Sequence, residues 1–361
     1  MKKILISFAI VCCILACKSQ AQDKVNYKLH TFYYNWYGNP ETDGNYYHWA
    51  HPVLPHWSDT TWNHFPPFPG GENIGSNYYP QLGCYSSNDT AIISKHIKEI
   101  ADAGIGVVVI TWWGKGSYED KSIPLYMSAA DKAGIKITFH IEPFYKTISG
   151  FEEAIEYIMD TYSKYPAFFK VNGKPTFYIY DSYKLDVKYW ISAFSKDSAK
   201  SLRNTNYDAV YIGLWVNKGE EDFFTKGDFD GCYTYFASNG FVYGCTKDNW
   251  EYMAAWAKKN KKLFIPCVGP GYIDTRIRPW NAQNAKSRES GLYYDTMFEA
   301  AINVNPDFIG VTSFNEWHEG TQIEPAVSKA YNDINYENYS PLKPDYYLRR
   351  TKYWSEKFLL K

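Results

Sequence analysis

The chain has 361 residues, 38 of them basic and 39 acidic, which gives a formal net charge of -1 at pH 7. This balance provides no basic surface for nucleic acid or for an anionic membrane, so neither is a predicted partner. Aromatic residues make up 19% of the sequence, with 34 Tyr and 13 Trp, and rings set beside polar groups suit a sugar, which has an apolar C–H face and a polar hydroxyl edge.

The first residues predict export from the cell. The stretch "MKKILISFAIVCCILACKSQAQD" has two lysines, a short apolar segment and then small and polar residues, which is typical of a signal peptide rather than a membrane span. Two cleavage sites compete, because "ILAC" resembles a bacterial lipobox with Cys17 as the lipidated residue, whereas "SQA" before Gln22 resembles an ordinary site. We favour the lipobox. Residues 1–21 are therefore predicted to be an export signal.

After the signal, apolar runs rich in β-forming residues alternate with helical patterns such as "TAIISKHIKEIADAG", "LYMSAADKAG", "FEEAIEYIMDTYSKY" and "NWEYMAAWAKKN". Strands that are apolar on both faces and separated by helices indicate a parallel sheet. Eight such runs in one chain of this length predict a single (β/α)8 TIM barrel over residues 25–361. Residues 38–88 are predicted to form an elaborated first βα loop. The runs cover residues 30–37, 106–113, 135–144, 175–183, 209–216, 230–236, 262–270 and 307–314.

The cysteines beyond the signal, Cys84, Cys232, Cys245 and Cys267, are too few and too scattered for a disulfide scaffold. They also lack the paired short spacing of a zinc site. Cys267 lies in the apolar run "LFIPCV" and is predicted to be a buried thiol. A disulfide between Cys232 and Cys245 stays open.

In a barrel, the active site forms at the carboxyl ends of the strands. Aromatic and polar side chains follow six of the predicted strands, and their joint placement predicts a binding site at this rim. Each one alone also has an ordinary explanation, such as a helix cap or barrel packing. The residues are Tyr37, Trp112, Trp113, Glu142, Tyr180, Asp181, Trp215, Asn217 and Tyr235.

The eighth run is followed by "NEWHEGTQIEP", which contains Glu316, Glu319 and Glu324. A zincin motif would need a second histidine at position 322, where the chain has Gln322. No G-x-S-x-G sequence follows a strand, and no Gly-rich phosphate loop stands between a strand and a helix. The remaining chemistry uses two carboxyl groups, as in cleavage of a glycosidic bond. Neither a metal nor a cofactor is predicted.

Four segments closely resemble glycoside hydrolase family 99, the endo-α-1,2-mannosidases and endo-α-1,2-mannanases: "FYYNWYGNPETDGNYYHWAHPVLPHW" (32–57), "ITWWGKG" (110–116), "HIEPF" (140–144) and "TSFNEWHEGTQIEPA" (312–326). The resemblance covers essentially the whole mature chain and identifies it as a bacterial member. It implies a (β/α)8 barrel that hydrolyses internal α-mannosidic bonds with retention and without a metal. The family's catalytic carboxyl groups map onto Glu316 and Glu319.

The resemblance also implies a mechanism in which neither carboxylate attacks the sugar. Glu316 would act as the base on the axial 2-hydroxyl of mannose, giving a 1,2-anhydro sugar, while Glu319 protonates the departing oxygen and later activates water. Trp113 implies a mannanase, because the animal enzymes resemble the chain but carry Tyr there and accept a glucose-capped substrate. Residues predicted to bind substrate are Tyr37, His48, Trp112, Trp113, Glu142, Tyr180, Tyr235 and Asn315.

The predicted substrate is α-mannan or a high-mannose oligosaccharide. The protein is predicted to be a monomer that contacts the membrane only through its N-terminal lipid. The predicted location is a bacterial outer membrane, at the cell surface or the periplasmic face, with the periplasm as the alternative. Two other functions stay open. One is a surface lipoprotein that binds glycans without catalysis, and the other is a glycosidase of another family that acts on α-glucan.

Overall fold

The computed structural model describes residues 25–56, 58 and 65–361, and its centre is a nearly closed barrel of nine parallel strands surrounded by helices. The predicted parallel barrel is thus confirmed in its architecture. The strands are β1 (Asn26–Tyr33), β2 (Ile105–Trp112), β3 (Lys136–Ile141), β4 (Lys174–Ile179), β5 (Val210–Leu214), β6 (Gly231–Tyr233), β7 (Leu263–Ile265), β8 (Cys267–Val268) and β9 (Ile309–Val311).

The sheet has the strand order β7-β6-β5-β4-β3-β2-β1-β9-β8. Its two end strands, β7 and β8, come from a single apolar run that the sequence predicted as one strand. Pro266 divides this run, because proline has no N–H to donate to a neighbouring strand. The first part pairs with β6 and the second with β9, so this run nearly closes the barrel and the strand count is nine rather than eight.

The strands are short and buried on both faces, as in other parallel sheets. Every residue of β2 is buried. Gly106 in β2 lies against β1, where a Cβ atom would come within 2.6 Å of the backbone of Asn26. The pairing register of β1 with β2 shifts between Asn26 and His30, so glycine allows the close approach at this irregularity.

Nine α-helices occur in the described part of the chain. Three of the long ones begin at a side-chain cap, Asp89, Ser117 or Thr147, whose oxygen accepts a backbone N–H of the first turn. They are α1 (Pro40–Asp43), α2 (Thr90–Asp102), α3 (Tyr118–Ala133), α4 (Ile148–Tyr162), α5 (Val187–Phe194), α6 (Glu221–Lys226), α7 (Trp250–Lys259), α8 (Leu292–Asn303) and α9 (Tyr346–Leu359).

The third of these helices is longer than the sequence pattern predicted. The apolar pattern indicated a start near residue 125, but α3 begins seven positions earlier and includes Pro124 in its interior. The cap at Ser117, which accepts from the N–H of Asp120, defines the start instead.

The segment between β1 and α2 contains α1 and the short antiparallel pair Ala50–His51 with Phe68–Pro69. Residues 57 and 59–64 of this segment lie outside the described residues, and the elaborated first loop stays a prediction. The predicted export signal, residues 1–21, with Cys17, also lies outside them. Within the described chain, no helix has the length and apolar character needed to cross a bilayer.

All four described cysteines are free thiols. Cys267 is fully buried, as predicted. Cys245 is also buried, and its thiol contacts the carbonyl oxygen of Ser238 at 3.1 Å rather than Cys232. The disulfide that the sequence left open does not form.

Candidate active site

The loop after β9 is held in one conformation by its own hydrogen bonds. The Glu316 N–H donates to Ser313 Oγ at 2.7 Å, and the Ser313 N–H donates to the Thr321 carbonyl at 3.0 Å. The Phe314 N–H donates to the carbonyl of Phe32 at 2.8 Å, which ties the loop to β1. This loop therefore presents Glu316 and Glu319 at the carboxyl end of the barrel from a fixed backbone.

Glu316 is buried, with 4% of its surface exposed. Its Oε1 accepts the backbone N–H of His318 at 3.2 Å and lies 3.4 Å from His318 Nδ1. Burial raises the pKa of Glu316 to about 8, although the positive charge of Arg278 and the His318 N–H act in the opposite direction. A carboxyl group with this pKa can exchange a proton near neutral pH.

Glu319 is less enclosed, with 22% of its side chain exposed, so a ligand can reach it. Its Oε1 lies 3.3 Å from Nη1 of Arg278. Burial raises the pKa of Glu319 to about 7 against the lowering effect of Arg278, and the charges of Glu316 and Asp274 add to the rise. The two glutamates therefore form an interacting pair whose protons are lost near neutral pH.

Arg278 and Asp274 come from the long segment after β8, where the sequence analysis named no site residue. The Arg278 Nη1 donates to Asp274 Oδ2 at 3.0 Å as well as to Glu319. The string "YIDTRIRP" follows the seventh apolar run of the sequence. Acidic and basic residues at the end of a barrel strand were a usable signal that the prediction did not use.

His318 is held on the other side of Glu316 by a second loop. Its Nε2 lies 2.8 Å from the carbonyl oxygen of His48, and because a carbonyl only accepts, Nε2 carries the hydrogen. Burial lowers the pKa of His318 to about 4. The His48 ring stacks on Trp36 with centroids 4.3 Å apart. His48 therefore lies beside His318 and Glu316, and its role in binding substrate stays a prediction.

Glu142 follows β3 and points towards the same end of the barrel. Its Oε1 accepts from Thr111 Oγ1 at 2.6 Å and lies 3.0 Å from His140 Nδ1. The other ring nitrogen of His140 lies 2.8 Å from the Tyr233 hydroxyl. Glu142 is 4% exposed, and its negative charge raises the pKa of Glu316, which places it in the same site.

A cavity of about 300 Å³ opens beside Glu319. Its wall mixes aromatic rings with hydrogen-bonding groups, the combination expected for a sugar, and includes Tyr180. Tyr235 packs edge-on against Tyr180 with centroids 5.2 Å apart and hydrogen-bonds the Tyr34 hydroxyl. Further wall residues are Asp181, Tyr183, Phe236, Phe241, Tyr272 and Arg278.

Trp113 is 40% exposed, whereas its neighbour Trp112 is fully buried. The Trp112 indole N–H donates to Asp120 Oδ1 at 2.7 Å. The two tryptophans after β2 therefore have different environments, and Trp113 alone presents a ring surface to a ligand.

Three residues predicted to bind substrate instead lie beneath the site surface. Like Trp112, Tyr37 and Asn315 are fully buried. The Tyr37 hydroxyl donates to the Asn315 carbonyl and accepts the Trp317 N–H. The Asn315 amide is occupied by the backbone of Tyr34 at 2.8 and 2.9 Å. The polar groups of Tyr37 and Asn315 support the loop after β9, and the indole N–H of Trp112 contacts α3. The structure therefore corrects the prediction of direct contact for these three.

Glu324, the third carboxylate of the loop, is fully buried away from the pair. Its Oε2 accepts from the Tyr85 hydroxyl at 2.8 Å and the Trp317 indole at 2.9 Å, and its Oε1 lies 3.2 Å from His96 Nε2. These contacts fix the end of the loop. Among the described residues, no group of three or more His, Cys, Asp or Glu side chains is arranged to hold a metal ion.

Several known proteins that resemble the chain have the names of carbohydrate-cleaving enzymes. The family model of glycosyl hydrolase family 99 matches residues 24–360. The glycoprotein endo-alpha-1,2-mannosidase of Xenopus laevis is 44% identical over 92% of this chain and 78% of its own length, and that of Mus musculus is 43% identical over 92% and 75%. A solved structure, the GH99 endo-alpha-mannosidase from Bacteroides thetaiotaomicron, superposes with a TM-score of 0.90 at 47% identity, covering 93% of this chain and 98% of its own.

These relatives come from vertebrates and from a bacterium, so they do not decide the predicted bacterial origin of the chain. The family match extends over the barrel and the loop that carries the two glutamates. The chain belongs to glycosyl hydrolase family 99 and is a glycosidase.

Proposed function

We propose that the protein is an endo-α-1,2-mannosidase that cleaves internal α-1,2-mannosidic bonds of mannan or high-mannose glycans. The names of its relatives suggest the bond. The observation that carries the proposal is the pair Glu316 and Glu319, whose pKa values of about 8 and about 7 lie near neutral pH, beside a cavity of tyrosines and polar groups. The exposed Trp113 ring, at the same end of the barrel, offers a stacking surface for a mannose unit.

The proposed reaction proceeds with retention through a 1,2-anhydro sugar. Glu316 removes the proton of the 2-hydroxyl, and that oxygen attacks C1 while the bond to the leaving-group oxygen breaks. Glu319 gives its proton to the departing oxygen, for which the cavity beside Glu319 provides room. In the second step Glu319 takes a proton from water, the water oxygen attacks C1 as the C1–O2 bond breaks, and Glu316 returns its proton to O2. Each carboxyl group then has its original proton state.

The proposed roles require Glu319 to be protonated and Glu316 to be ionised when the substrate is bound. In this structure the pKa of Glu316 is about 8 and that of Glu319 is about 7, which favours the proton on Glu316. The 2-hydroxyl of a bound mannose would place a donor against Glu316, and a hydrogen bond donated to a carboxylate stabilises its charged form. Substrate binding would therefore move the proton towards Glu319.

Product analysis on two polymers tests the activity. We expect oligosaccharides of two or more residues from α-1,2-linked mannan and no products from α-glucan. The Glu319→Gln variant should bind mannan without turning it over, because the amide keeps the shape of the side chain but has no acidic proton. Cleavage of α-glucan would assign another substrate, and binding to mannan by the wild type without products would contradict catalysis.

A 2-deoxy substrate tests the anhydro intermediate. If the 2-hydroxyl is the internal nucleophile, replacing the reacting mannose by its 2-deoxy analogue should abolish cleavage, although this glycosidic bond is intrinsically more labile. A conventional mechanism would instead let Glu316 attack C1 and form a covalent adduct. Mass spectrometry of the rapidly quenched and digested protein distinguishes them, because a glycosylated peptide containing Glu316 would rule out the neighbouring-group route.

We also propose that the mature protein is exported and anchored by a lipid on Cys17, at the surface or the periplasmic face of a bacterial outer membrane. The support is the signal-like sequence before residue 22 and the lipobox resemblance of "ILAC".

A further inference from the structure

We propose that Asp274 is a positioning residue for the acid–base carboxyl group of Glu319: it holds the Arg278 guanidinium against Glu319 and shares its positive charge. The inference rests on the proposed role of Glu319 and adds to it a residue that does not touch the reacting atoms. Asp274 is 1% exposed, so it acts from beneath the site.

The Asp274 carboxylate accepts hydrogen bonds from three donors. Its Oδ2 accepts from the Tyr272 hydroxyl at 2.7 Å, from Asn281 Nδ2 at 2.9 Å and from Arg278 Nη1 at 3.0 Å. Hydrogen bonds donated to a carboxylate oxygen, one of them here from a charged guanidinium, are strong and directional. They also fix its orientation, so the guanidinium is drawn to one place.

The backbone of the same segment sets the distance to Glu319. The Arg278 N–H donates to the Asp274 carbonyl at 2.7 Å, which folds the chain so that the guanidinium returns over its own carboxylate. One residue before Asp274, the Ile273 N–H donates to the carbonyl of Glu319 at 2.9 Å. Both the main chain and the side chain of Glu319 are therefore hydrogen-bonded to this segment.

Arg278 Nη1 also lies 3.3 Å from Glu319 Oε1, so one guanidinium serves two carboxyl groups. Arg278 lowers the pKa of Glu319, whereas the charge of Asp274 raises it. The other groups that face Glu319 are the carboxyl of Glu316 and the phenols of Tyr34, Tyr180, Tyr235 and Tyr272. If only the charge of Asp274 is removed, Arg278 still lowers the pKa of Glu319 and no charge from Asp274 opposes it.

The isosteric variant Asp274→Asn separates charge from shape. Among the described residues, Oδ1 of Asp274 has no hydrogen-bond partner, so an amide group can take that position while the remaining oxygen faces the three donors. We expect the pKa of Glu319 to fall, so that the basic limb of the pH profile of kcat, which reports loss of the proton of the acid, moves down by about one unit. KM should change little, because Asp274 does not line the cavity.

Asn281→Ala is the matched control, since it removes one neutral donor to the same oxygen and leaves the charge. It should lower the melting temperature without moving the basic limb. Asp274→Ala should lose kcat more than tenfold beyond Asp274→Asn, because the shape that holds Arg278 is also lost. If Asp274→Asn lowers stability but leaves the limb in place, or moves it upwards, the proposal is wrong.

A titration of Glu319 that needs no turnover tests the positioning role of Asp274 separately from the proposed function. In protein labelled with ¹³C at the glutamate carboxyl carbons, the Glu319 signal is assigned by its loss in Glu319→Gln and titrated in wild type and Asp274→Asn. A lower titration midpoint in Asp274→Asn supports the positioning role even if Glu319 proves not to be the acid. An unchanged midpoint overturns it even if the enzyme cleaves mannan as expected.

Discussion

At the scale of single residues, the site combines burial with one positive charge. Burial raises the pKa of both Glu316 and Glu319, and Arg278 keeps both values from rising further. Without Arg278, two carboxyl groups in this environment would both hold their protons over a wider pH range. With it, the pair loses its protons close to neutral pH, where a general acid and a general base must work together.

The raised pKa of Glu316 predicts a loss of stability with rising pH. The folded protein keeps the proton up to about 8, whereas an unfolded chain releases it near 4.5. Unfolding therefore releases a proton between these two values, and stability falls as pH rises through this window. Glu316→Gln cannot ionise, so it should become the more stable protein towards pH 8, by on the order of a few kcal/mol.

Chemical denaturation at a series of pH values measures this difference. Below pH 4.5 the wild-type carboxyl is protonated in both states, so the two proteins should differ by a constant amount there, which serves as the internal reference. A difference that stays flat up to pH 8, or one that turns in favour of the wild type, would show that burial does not hold the proton on Glu316.

At the scale of elements, the apolar runs predicted the parallel barrel because both faces of each strand are buried and the pattern is local. The break at Pro266 was readable in "LFIPCV", but which neighbour each part pairs with depends on tertiary structure. The same limit applies to the site. The glutamate pair lies on one loop and could be predicted, whereas the contact of Arg278 with Glu319 spans 41 positions. The burial of Tyr37 likewise depends on rings from other parts of the chain, Trp49 and Tyr85.

The contact of β2 with β1 at Gly106 leaves no room for a side chain. A Cβ atom there would lie 2.6 Å from the Asn26 backbone, which cannot move without disturbing the pairing of β1 with β2. Gly106→Ala should lower the free energy of unfolding by about 2 kcal/mol or more. Calorimetry or denaturant unfolding measures the change.

Gly150→Ala is the control for that substitution. Gly150 lies in the first turn of α4, and its Cβ would meet Tyr145 at an ordinary contact distance of 3.4 Å. Alanine is the better helix former, so this variant should be neutral or more stable by up to about 1 kcal/mol. Equal losses in the two variants would contradict the close strand approach as the cause.

At the scale of the whole molecule, the parallel strands give the barrel two different ends. The catalytic loop follows β9 at the carboxyl ends, whereas β1 begins at Asn26 at the amino ends. The described chain therefore enters β1 at the end of the barrel opposite the cavity beside Glu319, which we call the cleft. If the proposed lipid on Cys17 holds this end of the barrel at the membrane, the cleft faces away from the membrane and is accessible to a long polysaccharide.

This arrangement predicts that the anchor and the catalysis are separable. Cys17→Ser, expressed in a Gram-negative bacterium, should move the protein from the membrane fraction to the soluble fraction. Its kcat/KM on a soluble mannan oligosaccharide should equal that of the detergent-extracted wild type, because residue 17 precedes the barrel and the cleft lies at its other end. Fractionation with an assay of each fraction measures both effects, and the intact mass of the protein identifies the mature N-terminus.

A wild-type protein whose mass matches a chain that begins at Gln22 and has no lipid would show that the ordinary cleavage site is used. A variant that remains with the membrane would show that another part of the chain makes the attachment, and loss of activity on release would contradict the separation of anchor from cleft.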